Sequence, residues 1–226
     1  MLSPTARATV LATVACFALT APILGQGGAK KQSAKKEEAR EEKAEAAHDT
    51  AHLEMMRGWP QASKDAAAFM TKKYGPPAAV TADVAVWGKT GPWKRTVVYR
   101  QEFAHEFPKH HTDVMQQWVD YKAPPSEYST LAAYDGSVVL ERTTGEMSAR
   151  CDKEAANFLA LNLADEIVKR TRTVEDARRM YGEQIMAMMA MKPAPYTEKL
   201  LFAPMTNTND PDRAGMTPSV TVGPRP

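Results

Sequence analysis

The feature that most constrains the fold is the distribution of apolar residues, which are concentrated in the middle of the 226-residue chain. Residues 27–47, GGAKKQSAKKEEAREEKAEAA, contain no large apolar side chain whose burial would offset the entropy of ordering the backbone. Residues 193–226 carry seven prolines among scattered polar residues, a composition typical of extended or disordered chain. The sequence therefore predicts one small domain over residues 59–192. We expect a disordered, partly helical charged linker (26–58) before it and a Pro-rich tail (193–226) after it.

The first 25 residues have the order of a secretory signal peptide. One positive charge, Arg7, precedes an apolar run over residues 8–24, and Gly25 supplies a small residue for cleavage. We therefore expect a periplasmic or secreted protein. Two alternatives stay open. In the first, the run anchors an uncleaved chain in the inner membrane, for which it is nearly long enough; this is the only membrane contact that we predict. Cys16 is a candidate lipoprotein cysteine, although Thr13 stands where a lipobox has leucine.

Charge and cysteine content exclude several classes of protein. The formal net charge is +2 at pH 7, so no global field favours nucleic acid as a partner. Beyond the predicted signal the chain has a single cysteine, Cys151, which cannot form an internal disulfide. The domain must therefore depend on packing, and the expected partner is an envelope protein or a small ligand.

The middle of the chain carries strand-like segments that predict an α+β domain. KRTVVYRQEF is rich in β-forming residues, and the GKTGP segment before it suits a hairpin connection. SVVLERTTGEMSARC predicts a second hairpin that turns at Thr144 and Gly145. VMQQWVDY fits a strand or a short helix, and we favour the strand. We expect an antiparallel sheet of four or five strands, drawn from residues 83–87, 94–103, 114–121 and 137–151.

Two to four helices are expected to pack on this sheet. Helical spacing of apolar residues predicts one helix from Trp59 to the GPP sequence at 75–77, and another within residues 126–136. The strongest helix follows Asp152, which we predict to be its N-cap. A last helix is expected to start at Thr173 with a capping pair. The apolar stripe of the strongest helix consists of Phe158, Leu159, Leu163 and Ile167.

A cluster of metal-ligand residue types lies between the two predicted hairpins. His105, His110, His111 and Asp113 fall within nine residues, and imidazole and carboxylate groups are ligands for zinc or copper. Their spacing matches no standard site. Adjacent histidines on a strand point to opposite faces, so at most one of His110 and His111 is expected to join His105 or Asp113 around one ion. The alternative to a metal site is an exposed loop.

Other candidate sites have weaker signals. An aromatic and basic ligand face is predicted at Trp87, Trp93, Lys94 and Arg95, with core packing as the alternative explanation. Cys151 precedes a predicted helix N-terminus, which can activate a thiol, although no histidine partner is identifiable from the sequence.

Two further groups of potential ligands are better explained without a metal. His48 and His52 lie one helical turn apart without the glutamate of an HExxH motif, and we expect them at the surface. The methionines of MAMMAM (186–191) are soft donors whose alternation does not gather them on one helix face. They suit flexible packing or a partner surface.

The motifs KYGPP, GPWKRTVVYR and YDGSVVLERTTGEMSARCD resemble a group of bacterial hypothetical exported proteins with no assigned activity. The resemblance covers about residues 74–164 and implies one exported domain without assigning a catalytic residue. A helix, a GPP stop and Trp-bearing strands are more loosely similar to small envelope lipoproteins of the outer-membrane assembly type, an analogy of fold alone.

The sequence lacks the motifs of the better-specified enzyme classes. GxSxG, Walker A, GxGxxG, CxxCH and CxxC are all absent, so we predict no catalytic residue and no cofactor. The leading hypothesis is an exported, non-enzymatic binding or structural protein of the bacterial envelope. One alternative is an envelope protein that binds copper or zinc through the 105–113 segment. Another is an enzyme that uses Cys151.

Overall fold

A computed structural model describes residues 35–37, 40, 52 and 54–213. The predicted signal, membrane anchor and lipoprotein cysteine lie outside the described residues, as does His48. Residues 35–37 and 40 are helical and exposed, and they belong to a unit, residues 1–47, separate from the folded domain. In the part of the chain that the structure describes, no helix has the length and apolar character needed to cross a membrane. The second unit, residues 48–226, carries the folded domain.

Four α-helices lie between residues 61 and 189. They are α1 (Gln61–Tyr74), α2 (Tyr128–Tyr134), α3 (Glu154–Val168) and α4 (Val174–Met189). Gly75, at φ 86°, ends α1, and Thr173 caps α4 by accepting a hydrogen bond from the backbone N–H of Asp176 (3.1 Å), as predicted. The predicted cap of α3 is wrong. Its N-cap is Lys153, one residue later, so the Asp152 carboxylate binds the Lys153 ammonium (2.6 Å) instead of the first turn.

The strands form one antiparallel sheet in the order β1-β2-β3-β4-β6-β5. The α+β class is therefore confirmed, with six strands where four or five were expected. The extra strand is the two-residue β1, which is too short to carry a periodic pattern. The bounds are β1 Ala79–Val80, β2 Val84–Trp87, β3 Arg95–His105, β4 His111–Asp120, β5 Val139–Glu141 and β6 Glu146–Cys151.

Alternation along β4 explains why the ambiguous VMQQWVDY segment is a strand. Asp113, Met115, Gln117 and Val119 are each at most 2% exposed. Two helices meet Gln117: its amide contacts Met70 of α1, and its Oε1 accepts a hydrogen bond from Asn157 of α3 (3.0 Å). The helices therefore cover the face of the sheet that carries these residues.

Two buried clusters make up the core. One joins α2, α3 and α4 to β4 and β6, and the other joins α1 to β2, β3 and β4. Every residue of the apolar stripe predicted for α3 lies in the first cluster, at most 4% exposed. Helix α3 is the central helix of the domain, as its pattern indicates.

The first part of the predicted tail is neither extended nor disordered: it forms a short 3-10 helix, Pro195–Thr197, followed by irregular chain, and it packs against the domain. Asn162 of α3 holds it: its amide donates to the carbonyls of Tyr196 (3.0 Å) and Lys199 (2.8 Å) and accepts from the Leu201 N–H (2.7 Å). Further along, Arg142 pairs with the carboxylate of Asp210 (3.2 Å). The sequence did not reveal this packing, because few apolar residues in the segment follow a period. We call residues 194–210 the C-terminal strap.

The strap passes directly over the turn between β5 and β6. Gly145, at φ 64°, has the backbone of Thr208 so close that a Cβ would lie 2.1 Å from its carbonyl carbon. We expect Gly145→Ala to lower the free energy of unfolding by about 1–3 kcal/mol, because it combines a strained φ with a clash against backbone. Urea unfolding measures this effect. Gly136→Ala is the matched control, since a Cβ there meets no atom within 4 Å; equal losses in both variants would contradict the role of the strap.

Candidate metal site

The pairing of β3 with β4 brings three potential ligands together. The register places His105 opposite His111 and Phe103 opposite Asp113. Directly opposite residues lie close across antiparallel strands, and residues two apart share a face. The two imidazole rings accordingly have centroids 4.9 Å apart, with the Asp113 carboxylate beside both. His105, His111 and Asp113 are called the ligand cluster below.

Each imidazole of the ligand cluster has a nitrogen close to the Asp113 carboxylate. His105 Nδ1 lies 3.3 Å from Asp113 Oδ2, and His111 Nε2 lies 3.1 Å from Asp113 Oδ1. All three donors lie within 4.8 Å of one another. A tetrahedral zinc ion with ligands at about 2.0–2.3 Å keeps neighbouring donors about 3.3–3.8 Å apart. The two histidine–carboxylate separations are therefore close to those around a bound ion.

A backbone contact orients the His111 imidazole, and a second carboxylate lies near the His105 imidazole. His111 Nδ1 lies 2.8 Å from the Lys109 carbonyl, which leaves Nε2 directed at Asp113. His105 Nε2 lies 3.7 Å from Asp135 Oδ1, longer than a hydrogen bond but within ion-pair range. Metal-binding histidines usually have their second nitrogen held by a carbonyl or carboxylate in this way. Asp135 is itself held by the N–H and hydroxyl of Ser137 (2.8 and 2.7 Å).

Cys151, the last residue of β6, lies next to the ligand cluster. Its Sγ is 3.4 Å from His111 Nε2, and the residue is 6% exposed. Burial raises the pKa of the thiol, and this outweighs the opposing effect of His111. An activated nucleophile needs the opposite shift. In a Cys–His–acid arrangement the histidine also uses two different nitrogens, whereas here Nε2 contacts both Cys151 and Asp113. The arrangement therefore differs from that of an activated nucleophile, and it leaves the sulfur within reach of the ligand cluster.

Buried negative charge is concentrated at this site. Asp113 and Asp135 are each 2% exposed, and the Arg150 Nε is 3.9 Å from Asp113 Oδ2. Hydrogen bonding to Asp113 and then to Cys151 raises the pKa of His111 to about 11. The imidazolium thus supplies positive charge beside a buried carboxylate, as a bound cation would in the same place.

The fourth predicted ligand does not join the others. His110 precedes the first residue of β4, and its Nδ1 lies 2.8 Å from Glu106 Oε1. Both of these side chains are more than 70% exposed. His110 is therefore outside the ligand cluster, because neighbouring residues of extended chain direct their side chains to opposite sides.

The ligand face expected of Trp87, Trp93, Lys94 and Arg95 does not form. Trp87 and Trp93 are 1% and 0% exposed, and their indole N–H groups donate to the Gly75 carbonyl (2.9 Å) and to Glu154 Oε1 (2.7 Å). Lys94 and Arg95 instead bind Glu146 of β6. The physical reason is that both indoles are buried and donate hydrogen bonds to partners elsewhere in the chain.

The remaining candidates lie elsewhere or at the edge of the site. His52 is buried, not at the surface. Met186, Met189 and Met191 are exposed, between 61 and 95%. Met188 and Met189 also line a cavity of about 160 Å³ together with His111 and Cys151. Sequence reasoning missed Asp135 altogether and found no histidine for Cys151, because each meets the ligand cluster only through the tertiary fold.

Comparisons of the chain with protein-family models, with curated proteins and with solved structures give no match. The chemistry of the described residues is therefore the basis on which a function is proposed.

The Glu146 ion pair gives a pH-dependent prediction. Arg95 forms two hydrogen bonds to Glu146 and holds the pKa of this buried carboxyl below its usual 4.5. A depressed native pKa stabilises the fold above the unfolded-state value, and this contribution is lost as pH falls through the native value. We expect Glu146→Gln to cost about 1–3 kcal/mol at neutral pH.

The difference between wild type and Glu146→Gln should shrink as pH falls from about 7 to about 3, which urea unfolding across that range measures. Asp83→Asn is the control, because Asp83 is 81% exposed and its pair with Arg100 spans 3.9 Å. A Glu146→Gln deficit that stays constant with pH would contradict the assignment.

Proposed function

We propose that the domain binds one divalent transition-metal ion through His105, His111 and Asp113, as a non-enzymatic binding protein of the bacterial envelope. The observation that carries the proposal is the convergence of two imidazole nitrogens and a carboxylate within 4.8 Å. The three residues come from the facing ends of β3 and β4, so one hairpin presents them together. Sites on paired strands are held more precisely than sites on loops.

The donor set favours transition metals over calcium and magnesium. Imidazole nitrogen suits zinc, copper, iron and nickel, whereas calcium takes six to eight oxygen ligands and magnesium an octahedral oxygen shell. Burial of Asp113 adds to the selectivity, since an enclosed site has little room for the several waters that magnesium retains.

Cys151 supports a binding role rather than a catalytic one. Structural zinc sites are closed by four protein ligands, whereas catalytic sites keep one position open. The Cys151 sulfur lies 3.4 Å from His111 Nε2, and this spacing suits two ligands of one tetrahedral ion. A thiolate as fourth ligand would close the site and favour zinc or copper.

Localisation in the envelope rests on the N-terminal signal pattern and on the resemblance to exported proteins. A chain exported to the periplasm meets zinc and copper outside the cytoplasm. Mature N-terminal sequencing after expression in a bacterial host tests this part on its own. A chain retaining residues 1–25 in the cytosol would contradict it.

Metal titration tests the site. We expect the chelator-treated full chain to bind one equivalent of zinc, measured by calorimetry, and elemental analysis to give the same stoichiometry. His111→Ala and Asp113→Ala each remove a ligand. The affinity for zinc should therefore fall by at least about 10–100-fold, the loss typical when a residue that only orients a ligand is changed. His110→Ala is the matched control and should bind as wild type does. No binding at micromolar free zinc, or an equal loss in His110→Ala, would refute the proposal.

Cobalt substitution tests the fourth ligand. Cobalt in the site should show visible ligand-field bands together with a near-ultraviolet thiolate-to-metal charge-transfer band. Cys151→Ser should remove the charge-transfer band and keep the ligand-field bands, because His105, His111 and Asp113 still hold the ion. A wild-type spectrum that lacks the charge-transfer band would show an open three-ligand site and contradict the closed one.

A further inference from the structure

A second cluster of polar groups surrounds Glu154, the first residue of α3. The residue is 3% exposed, and its Oε1 accepts hydrogen bonds from Trp93 Nε1 and from the Tyr74 hydroxyl, both at 2.7 Å. Its other oxygen pairs with the ammonium of Lys73. One buried carboxylate thus joins α1, α3 and the loop before β3.

Three aromatic rings surround the ammonium that Glu154 binds. Lys73 Nζ lies 5.6 Å from the ring centroid of Phe69, 5.1 Å from that of Tyr74 and 5.8 Å from that of Phe158. Each distance is within the range of a cation–π contact, and such cages of rings recognise ammonium ligands in proteins. The Lys73 ammonium therefore identifies the chemistry that this place accepts.

This ammonium cage forms part of the wall of a larger cavity. The cavity has a volume of about 610 Å³, within the range of small-molecule sites, and is lined by Phe69, Lys73, Glu154 and Phe158 among others. Its charged lining consists of four carboxylates and two ammonium groups. Those residues are Asp65, Asp152, Glu154, Glu198, Lys73 and Lys153. The excess of negative charge favours a cation as ligand.

Lys73 is far more exposed than the carboxylate that it binds. Its side chain is 44% exposed, whereas that of Glu154 is 3% exposed. A flexible lysine stem can swing into water and leave the carboxylate and rings in place. A ligand ammonium that takes its position would meet the same contacts and add an apolar body against Phe69, which is 42% exposed.

We propose that this cavity binds an organic cation with an ammonium group and an apolar body, and that Lys73 is the internal occupant that the ligand displaces. The cavity shares no residue with His105, His111 and Asp113. Asp152 of the cavity lining also contacts Cys151 Sγ (3.4 Å), so binding of the cation is measured with metal removed.

Benzylammonium is the probe, titrated calorimetrically into the chelator-treated full chain. Lys73→Met removes the competing ammonium, so this variant should bind the probe several-fold more tightly than wild type. Lys72→Met, an exposed neighbour on the same helix, is the matched control and should bind as wild type does. Because chelator is present, a failure of zinc binding leaves this result unaffected.

Two further measurements separate recognition of a cation from filling of a cavity. Benzyl alcohol, the uncharged analogue, should bind more weakly than benzylammonium to Lys73→Met. Phe69→Ala removes one partly exposed ring without entering the core, and should weaken benzylammonium about two- to fivefold. Circular dichroism confirms that each variant is folded.

Several outcomes would overturn the proposal. They are equal affinity of the charged and uncharged probes, equal affinity of the Lys73 and Lys72 variants, and no effect of Phe69→Ala. Absence of binding to folded Lys73→Met at millimolar probe would show that the Lys73–Glu154 pair is a structural contact alone.

Discussion

The antiparallel pairing of β3 with β4 is the interaction on which the rest of the structure depends. It supplies the two central strands of the sheet, and both core clusters pack against β4. The pairing places Val98 opposite Met115 in the core and, beyond a shift of register between Val98 and Phe103, places His105 opposite His111 at the far end. A slip of one residue in the core part would turn Met115 away from α1, and a slip beyond the shift would separate His105 from His111. Packing and ligand geometry are thus specified by two neighbouring parts of one strand pair.

The two carboxylates that organise the domain do so in different ways. Asp113 lies beside two imidazoles that offer nitrogen donors, and its pairing is completed by a proton on His111. Glu154 is surrounded by an indole, a phenol and an ammonium that satisfy it through hydrogen bonds and one ion pair. Burying a charge is costly unless such partners are present. Each carboxylate therefore requires a cationic group beside it, which is why both are candidate binding positions.

Local pattern predicted most of the secondary structure and little of what links it. The α3 stripe, the Thr173 cap and both hairpins follow from periodicity and turn chemistry over a few residues. The convergence of His105, His111 and Asp113 was accessible for the same reason, since they are near neighbours in sequence. Asp135 was not, because 22 residues separate it from Asp113. The burial of Trp93 depends on Glu154, 61 residues away, and no local signal encodes that contact.

The C-terminal strap has a consequence for the order in which the domain folds during synthesis. It follows every helix and strand of the sheet in sequence, yet Asn162 of α3 and Gly145 of the last hairpin have surfaces shaped to receive it. A nascent chain that has emerged only as far as α4 lacks the groups that pair with the Asn162 amide, and the domain is then incomplete. Full native stability is reached only after the strap has left the ribosome.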